Sequence, residues 1–121
     1  MEVLVAEDFD KVFAGLRQLM LGAASGMTVA KDDPGSLELR TPTIDPKTKQ
    51  PGWFGTVTIK KTYVAYHLMP LYTHPEVAEG ISGELAKRKQ GKTCFNFARI
   101  DEALFDELAR LTKVCVRLVD R

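Results

Sequence analysis

Two segments of the chain carry apolar residues at the spacing of an amphipathic helix. The first runs from about Asp8 to Gly22, with Asp8 as its expected N-cap, and its apolar stripe consists of Phe9, Val12, Phe13, Leu16, Leu19, Met20 and Ala23. The second follows Asp101, the expected N-cap of a C-terminal helix, and its stripe consists of Leu104, Leu108, Leu111, Cys115 and Leu118. Each stripe needs an apolar surface to pack against, so we predict that both helices cover a sheet.

Between these helices the apolar residues alternate with polar ones, which is the pattern of strands. A hairpin is predicted around the turn sequence Asp32-Asp33-Pro34-Gly35. The range Pro42–Gly52 contains three prolines and is expected to be an exposed loop. Alternation resumes over Trp53–Lys60, and the short break after it predicts that the next strand folds back beside this one. That strand, Tyr63–Leu71, is apolar or aromatic on both faces, which is typical of a central strand.

The remaining elements are short. A helix is expected over 74–80, where a proline occupies the first helical position, and Ser82 is expected to cap another that ends at Gly91. Thr93–Phe97 is the last predicted strand. The sequence therefore predicts a single α+β domain over residues 1–121. Its antiparallel sheet carries the N- and C-terminal helices packed on one face, with two short helices before the last strand.

Composition limits the class of protein. The 121 residues are 45% hydrophobic and 27% charged, as in ordinary globular proteins, and the net charge of +1 argues against a nucleic-acid binder. No segment has the apolar length of a membrane span, and the N-terminal residues lack the basic region of a secretory signal. We therefore expect neither nucleic acid nor membrane as a partner. The two cysteines are too few for a disulfide framework, so we expect a cytoplasmic protein. Its oligomeric state is left open.

The residues best suited to chemistry are His67 and Cys94. His67 shares a strand face with Tyr63, Ala65 and Met69, where an imidazole serves either as a ligand or as a half-buried, hydrogen-bonded group. Cys94 lies near several lysines, and nearby cations lower the pKa of a thiol. A nucleophile also needs a base and an oxyanion site. The sequence places neither, so we expect no catalytic residues and no enzyme.

A mouth beside the sheet is the predicted ligand site. Pro70 ends a strand, and the chain then turns into a helix, which leaves an opening with aromatic, imidazole and lysine groups. The alternative is that Tyr66, Leu68 and Tyr72 simply fill the core. The candidate ligand-binding residues are Tyr66, His67, Tyr72, His74, Lys87, Lys92 and Cys94.

Three acids near the start of the first helix form a candidate metal site. The carboxylates of Glu7, Asp8 and Asp10 are the kind of ligand that hard cations prefer. Acids at a helix N-terminus also complement the helix dipole without any metal. Both interpretations stay open at the level of sequence.

Parts of the C-terminal half resemble a known family. The segments that carry the likeness, to the YdhG-like family of bacterial proteins, a domain of unknown function, are 61–72, Ile81–Leu85, 90–97 and 101–104. That family has been compared with frataxin, whose fold is a sheet flanked by two terminal helices. The resemblance implies this fold, and it implies iron handling for iron–sulfur cluster assembly.

Two functional hypotheses follow. The first is a non-enzymatic binding or adaptor module without a cofactor, which takes a small ligand or a protein partner. The alternative is a frataxin-like iron carrier that holds the metal through the three acids.

Overall fold

The computed structural model describes the backbone of residues 5–44 and 46–119, and side chains within these ranges from Phe9 onward. The helices are α1 (Val5–Ala23), α2 (Pro70–Thr73), a 3-10 helix (Pro75–Gly80), α3 (Gly83–Ala86) and α4 (Glu102–Val119). The strands are β1 (Thr28–Asp33), β2 (Ser36–Ile44), β3 (Pro51–Ile59), β4 (Val64–Leu68), β5 (Lys89–Gln90) and β6 (Cys94–Phe97).

The strands form one six-stranded sheet in the order β1-β2-β3-β4-β6-β5, and every pair is antiparallel. β4 lies between β3 and β6, so the prediction of a central strand is confirmed. The long helices α1 and α4 contact each other, and α1 also packs on β3 and β4. The predicted α+β architecture, an antiparallel sheet with the terminal helices on one face, is confirmed.

The core lies between the two helices and the sheet. Both predicted helical stripes contribute to it, because most of their apolar side chains are buried, including Leu16 on α1 and Leu108 on α4. Each such side chain contributes roughly 1.5–3 kcal/mol by leaving water. The sheet side of the core consists of Leu37, Leu39, Phe54, Val57, Val64, Tyr66, Leu68, Phe95 and Phe97. Among the described residues, no helix is long and apolar enough to cross a membrane.

The predicted loop over Pro42–Gly52 was too long. β2 continues to Ile44 and β3 begins at Pro51, and these two residues are paired across the hairpin. β1 pairs with β2 only as far as Arg40, so the strand beyond it needs no ladder bond on that side. A proline at position 42 therefore costs no hydrogen bond there, and one at the first position of β3 is equally tolerated.

Helix boundaries were predicted with mixed success. Ser82 and Asp101 are confirmed as caps: Ser82 Oγ accepts from Leu85 N at 3.1 Å, and Asp101 Oδ1 accepts from Leu104 N at 3.1 Å. Asp8 was wrong as an N-cap, because α1 begins at Val5 and Asp8 lies within it. No proline or glycine lies between Val5 and Asp8, and alanine, the best helix former, stands at position 6.

The short elements between β4 and β6 differ most from prediction. α3 ends at Ala86 rather than near Gly91, because the following residues are drawn into the sheet as β5. The carbonyl of Arg88 accepts a hydrogen bond from Asn96 N at 2.8 Å, which ties this segment to β6. The one-turn helix α2, which starts at Pro70, was also not predicted.

Candidate functional site

The sheet has a second face, on the side away from α1 and α4. Side chains in β2 alternate between buried and half-buried positions, so Leu37 and Leu39 enter the core while Glu38 and Arg40 point the other way. Pairing across the strands extends this set. We call this surface the open face; it comprises Glu38, Arg40, Trp53, Thr56, His67, Cys94 and Asn96.

Trp53 is held in place at one end of the open face. Its ring lies under the Arg40 guanidinium, whose central carbon is 4.1 Å from the ring centroid. Arg40 is fixed in turn, because its Nε donates to Glu38 Oε2 at 2.9 Å and its Nη1 donates to the Pro51 carbonyl at 2.9 Å. Trp53 nevertheless remains 48% exposed. A large aromatic side chain is therefore oriented at the surface without being buried by the protein itself.

A cleft of about 360 Å³ opens beside Trp53, and we call it the Trp53 cleft. Its walls come from the β2–β3 hairpin, from the turn into α2 and from the end of α4. Because Pro70 starts α2, Tyr72 and Thr73 are turned onto the wall of this cleft. The lining residues used below are Arg40, Gln50, Trp53, Met69, Tyr72 and Thr73.

Tyr72 and Lys92 form the rim of this region. The Lys92 ammonium lies 5.5 Å from the centroid of the Tyr72 ring, within the range of a cation–π contact. Tyr72 is 61% exposed, so it does not fill the core. Two of the residues predicted for a ligand mouth are thus together at an aromatic, cationic rim.

A smaller hollow adjoins the cleft on the open face, and we call it the His67 hollow. It measures about 290 Å³ and is lined by Trp53, Thr56, His67 and Met69. His67 Nε2 lies 3.1 Å from Met69 Sδ, and Thr93 Oγ1 lies 3.1 Å from Nε2 and 3.3 Å from Nδ1. Burial lowers the pKa of His67 below its ordinary 6.5. The imidazole is therefore neutral at pH 7.

Cys94 lies directly across from His67 on the neighbouring strand, on the same face. Its Sγ is 3.4 Å from Asn96 Oδ1, within the limit for a thiol hydrogen bond. Burial raises the pKa of this thiol and outweighs the opposing effect of Lys60. A lysine therefore does lower this pKa, as expected of a nearby cation, but the net shift of the pKa is upward. Thiol and imidazole are both in their neutral forms.

Three predicted ligand-binding residues lie elsewhere. Tyr66 points into the core, because successive residues of a strand face opposite sides of the sheet, and it is fully buried. His74 Nδ1 lies 3.0 Å from Thr73 Oγ1, after α2, and His74 is half-buried. Lys87 pairs with Glu84 Oε1 at 3.4 Å on α3. The structure brings His67 next to Cys94 and Tyr72 next to Lys92. Tyr66, His74 and Lys87 belong to neither pair.

The predicted metal site falls largely outside the described side chains. Those of Glu7 and Asp8 are not described, while Asp10 is exposed on α1. Within the described part of the chain, no three His, Cys, Asp or Glu side chains are grouped so that they could hold a metal. Iron binding by Glu7, Asp8 and Asp10 stays a prediction.

Trp53 and Arg40 were missed at the level of sequence. Their contact depends on the pairing of β2 with β3, which shifts register between Leu39 and Arg40. The available signal was the chain's single tryptophan, placed where a strand leaves a proline-rich segment. Comparisons with protein-family models, with curated proteins and with solved structures gave no match to this chain.

Proposed function

We propose that the protein is a non-enzymatic binding module that takes a small aromatic ligand in the Trp53 cleft. The observation that carries the proposal is the fixed, half-exposed ring of Trp53 on the wall of a 360 Å³ cleft that Tyr72 also lines. Ligand sites are typically concave, with aromatic walls and a few polar groups that set orientation. A ligand ring stacked in this cleft removes apolar surface from water that the folded chain leaves exposed.

The polar groups of the cleft restrict the ligand's chemistry. Gln50 and Thr73 offer hydrogen bonds to its polar substituents. Arg40 contributes little free charge, because Glu38 pairs with it. Lys92 stands at the Tyr72 rim and provides positive charge there. The best match is a planar aromatic molecule with a carboxylate that reaches Lys92.

The neutral state of the His67 and Cys94 pair supports a non-enzymatic role. A cysteine nucleophile works as a thiolate, activated by a base or by a lowered pKa. Here burial raises the pKa of Cys94 and lowers that of His67, so both shifts oppose a thiolate–imidazolium pair. The side chains provide a surface rather than a nucleophile.

The proposal includes the protein's setting. Cys94 and Cys115 are free thiols, which suits the reducing environment of the cytoplasm. The likeness of the C-terminal half to the YdhG-like family supports a bacterial origin, and a sheet carrying two terminal helices is compatible with it. A protein partner that offers an aromatic side chain to the cleft would use the same contacts.

Fluorescence of Trp53 tests the proposal directly, because it is the only tryptophan. We expect saturable changes in its emission on titration with aromatic carboxylates such as benzoate and naphthoate. Tyr72→Ala should weaken binding by at least tenfold. Lys92→Gln should weaken binding of the carboxylates but leave binding of the corresponding neutral amides unchanged. Only the carboxylates pair with the Lys92 ammonium.

Ile100→Ala is the matched control, because Ile100 is a half-exposed apolar residue that does not line the cleft. Its affinities should equal those of the parent chain. The proposal fails if no carboxylate gives saturable binding at millimolar concentration. It also fails if Tyr72→Ala binds as tightly as Ile100→Ala.

A further inference from the structure

Two soft donor atoms meet in the His67 hollow. Met69 follows β4 directly as the N-cap residue of α2, and its Sδ lies 3.1 Å from His67 Nε2. The backbone around them is fixed at both neighbouring strands. Leu68 N donates to the Thr93 carbonyl at 2.9 Å, and Met69 N donates to the Phe54 carbonyl at 2.9 Å. His67 is therefore held within β4, and Met69 is held where β4 passes into α2.

We propose that the His67 hollow, which Trp53 also lines, binds one soft monovalent metal ion, Cu(I), through His67 Nε2 and Met69 Sδ. Thioether sulfur selects soft ions such as Cu(I), and imidazole nitrogen also suits copper. Neither donor carries negative charge, so this pair favours a singly charged ion over a hard divalent cation. Ag(I) has the same charge and softness and serves as a redox-inert probe.

His67 has a hydroxyl group beside its ring. Thr93 Oγ1 lies 3.1 Å from Nε2 and 3.3 Å from Nδ1, so this hydroxyl must bond Nδ1 for Nε2 to take the metal.

Trp53 supplies the third element of the site. Its ring lines the hollow together with His67 and Met69. Arg40 already stacks on this ring, at 4.1 Å, so the ring is fixed before any ion arrives.

Metal binding requires one local movement. Bonds from a transition metal to nitrogen and sulfur are about 2.0–2.3 Å long, so an ion between the donors pushes Sδ about 1 Å outward. Methionine has three rotatable bonds and accommodates this without backbone change. The hollow of about 290 Å³ leaves room for the movement.

Cys94 is not part of the proposed site. Although it lies across from His67, its Sγ contacts Asn96 and it is not among the lining residues of the hollow. Free thiols bind Cu(I) and Ag(I) by themselves, so the test uses a Cys94→Ser chain. Cys115 is fully buried in the core and is retained.

The experiment is a titration of the Cys94→Ser protein with Ag(I), followed by Trp53 emission and by native mass spectrometry. We expect a single bound ion, quenched emission, and no competition from a hundredfold excess of Zn(II). In the Cys94→Ser protein, Met69→Leu and His67→Gln should each weaken Ag(I) binding by at least tenfold. Met27→Leu and His74→Gln remove the same donor types outside the hollow and should leave the affinity unchanged.

The inference is overturned if Cys94→Ser abolishes Ag(I) binding, since the thiol then accounts for it. It is equally overturned if Met69→Leu, a volume-conserving change, binds Ag(I) as the parent does. This inference does not depend on the aromatic ligand. Tyr72→Ala should retain Ag(I) binding while it binds the carboxylates at least tenfold more weakly, so failure of one proposal is distinguishable from failure of the other.

Discussion

At the scale of single residues, the least expected feature is a pair of linked hydrogen bonds inside the core. Thr112 lies on the buried side of α4, where its Oγ1 donates to the Leu108 carbonyl at 2.8 Å. Its one hydrogen is thus committed, so the Tyr66 hydroxyl, 2.6 Å away, donates to Thr112 Oγ1. Burial raises the pKa of Tyr66, which keeps the phenol protonated as this arrangement requires.

Because Tyr66 donates to Thr112 and Thr112 donates to Leu108, removing the two hydroxyl groups should have unequal effects on stability. Thr112→Val removes the acceptor of a buried phenol and should cost about 1–3 kcal/mol of unfolding free energy. Tyr66→Phe should cost less, because the Thr112 hydroxyl still donates to Leu108. The double variant should be about as stable as Tyr66→Phe alone. Urea denaturation measures all three, and strictly additive losses would show that the two hydroxyls are not coupled.

His67 makes stability depend on pH. Its folded pKa is lowered, so below about pH 6.5 the unfolded chain takes up a proton before the folded chain does. The free energy of unfolding therefore falls as the pH falls through that window. In urea denaturation, the stability of the parent chain relative to His67→Gln should decrease from pH 7 to pH 5. A difference that stays constant or grows would contradict a lowered pKa.

At the scale of elements, local pattern was enough for the long helices and the first four strands. Helical and alternating periods identified the long helices, β2 and β3 because each buries one side against the core, and an apolar run identified β4. The six residues of β1 are all exposed, and this strand was located by the turn sequence at its end. β5 has only two residues, and it is a strand because β6 lies beside it. Pairing between distant segments is not encoded in local period, so β5 could not be predicted. The one-turn helix α2 is too short to show a period.

The close approach of β3 to its neighbours gives a test at this scale. A Cβ on Gly55 would lie 2.7 Å from the His67 carbonyl oxygen and 2.8 Å from Met20 Cε. The methionine can move but the strand backbone cannot, so Gly55→Ala should cost about 1–3 kcal/mol.

Gly80→Ala is the matched control, because a Cβ there meets nothing within 4 Å. It should change the free energy of unfolding by less than about 0.5 kcal/mol. Equal urea midpoints for the two variants would mean that β3 and β4 are not in this close contact.

At the scale of the whole molecule, the two faces of the sheet differ in what covers them. One face builds the core with α1 and α4, while the open face and the Trp53 cleft leave Trp53 and Tyr72 exposed. The sequence predicted part of this site. Alternation along β4 is sufficient to place His67 opposite to Tyr66, although both were proposed as ligand residues. Trp53 and Arg40 could not be placed, because their meeting depends on the irregular register of β2 and β3.

The most direct test of the central claim is a map of amide chemical shifts in the ¹⁵N-labelled protein as an aromatic carboxylate is added. We predict that the shifts concentrate at Gln50, Gly52 and Trp53 on the hairpin and at Tyr72 and Thr73 on α2, around the Trp53 cleft. The account is contradicted if the shifts instead gather between the 3-10 helix and α4, at Val77, Ile81 and Leu111, where a separate groove lies.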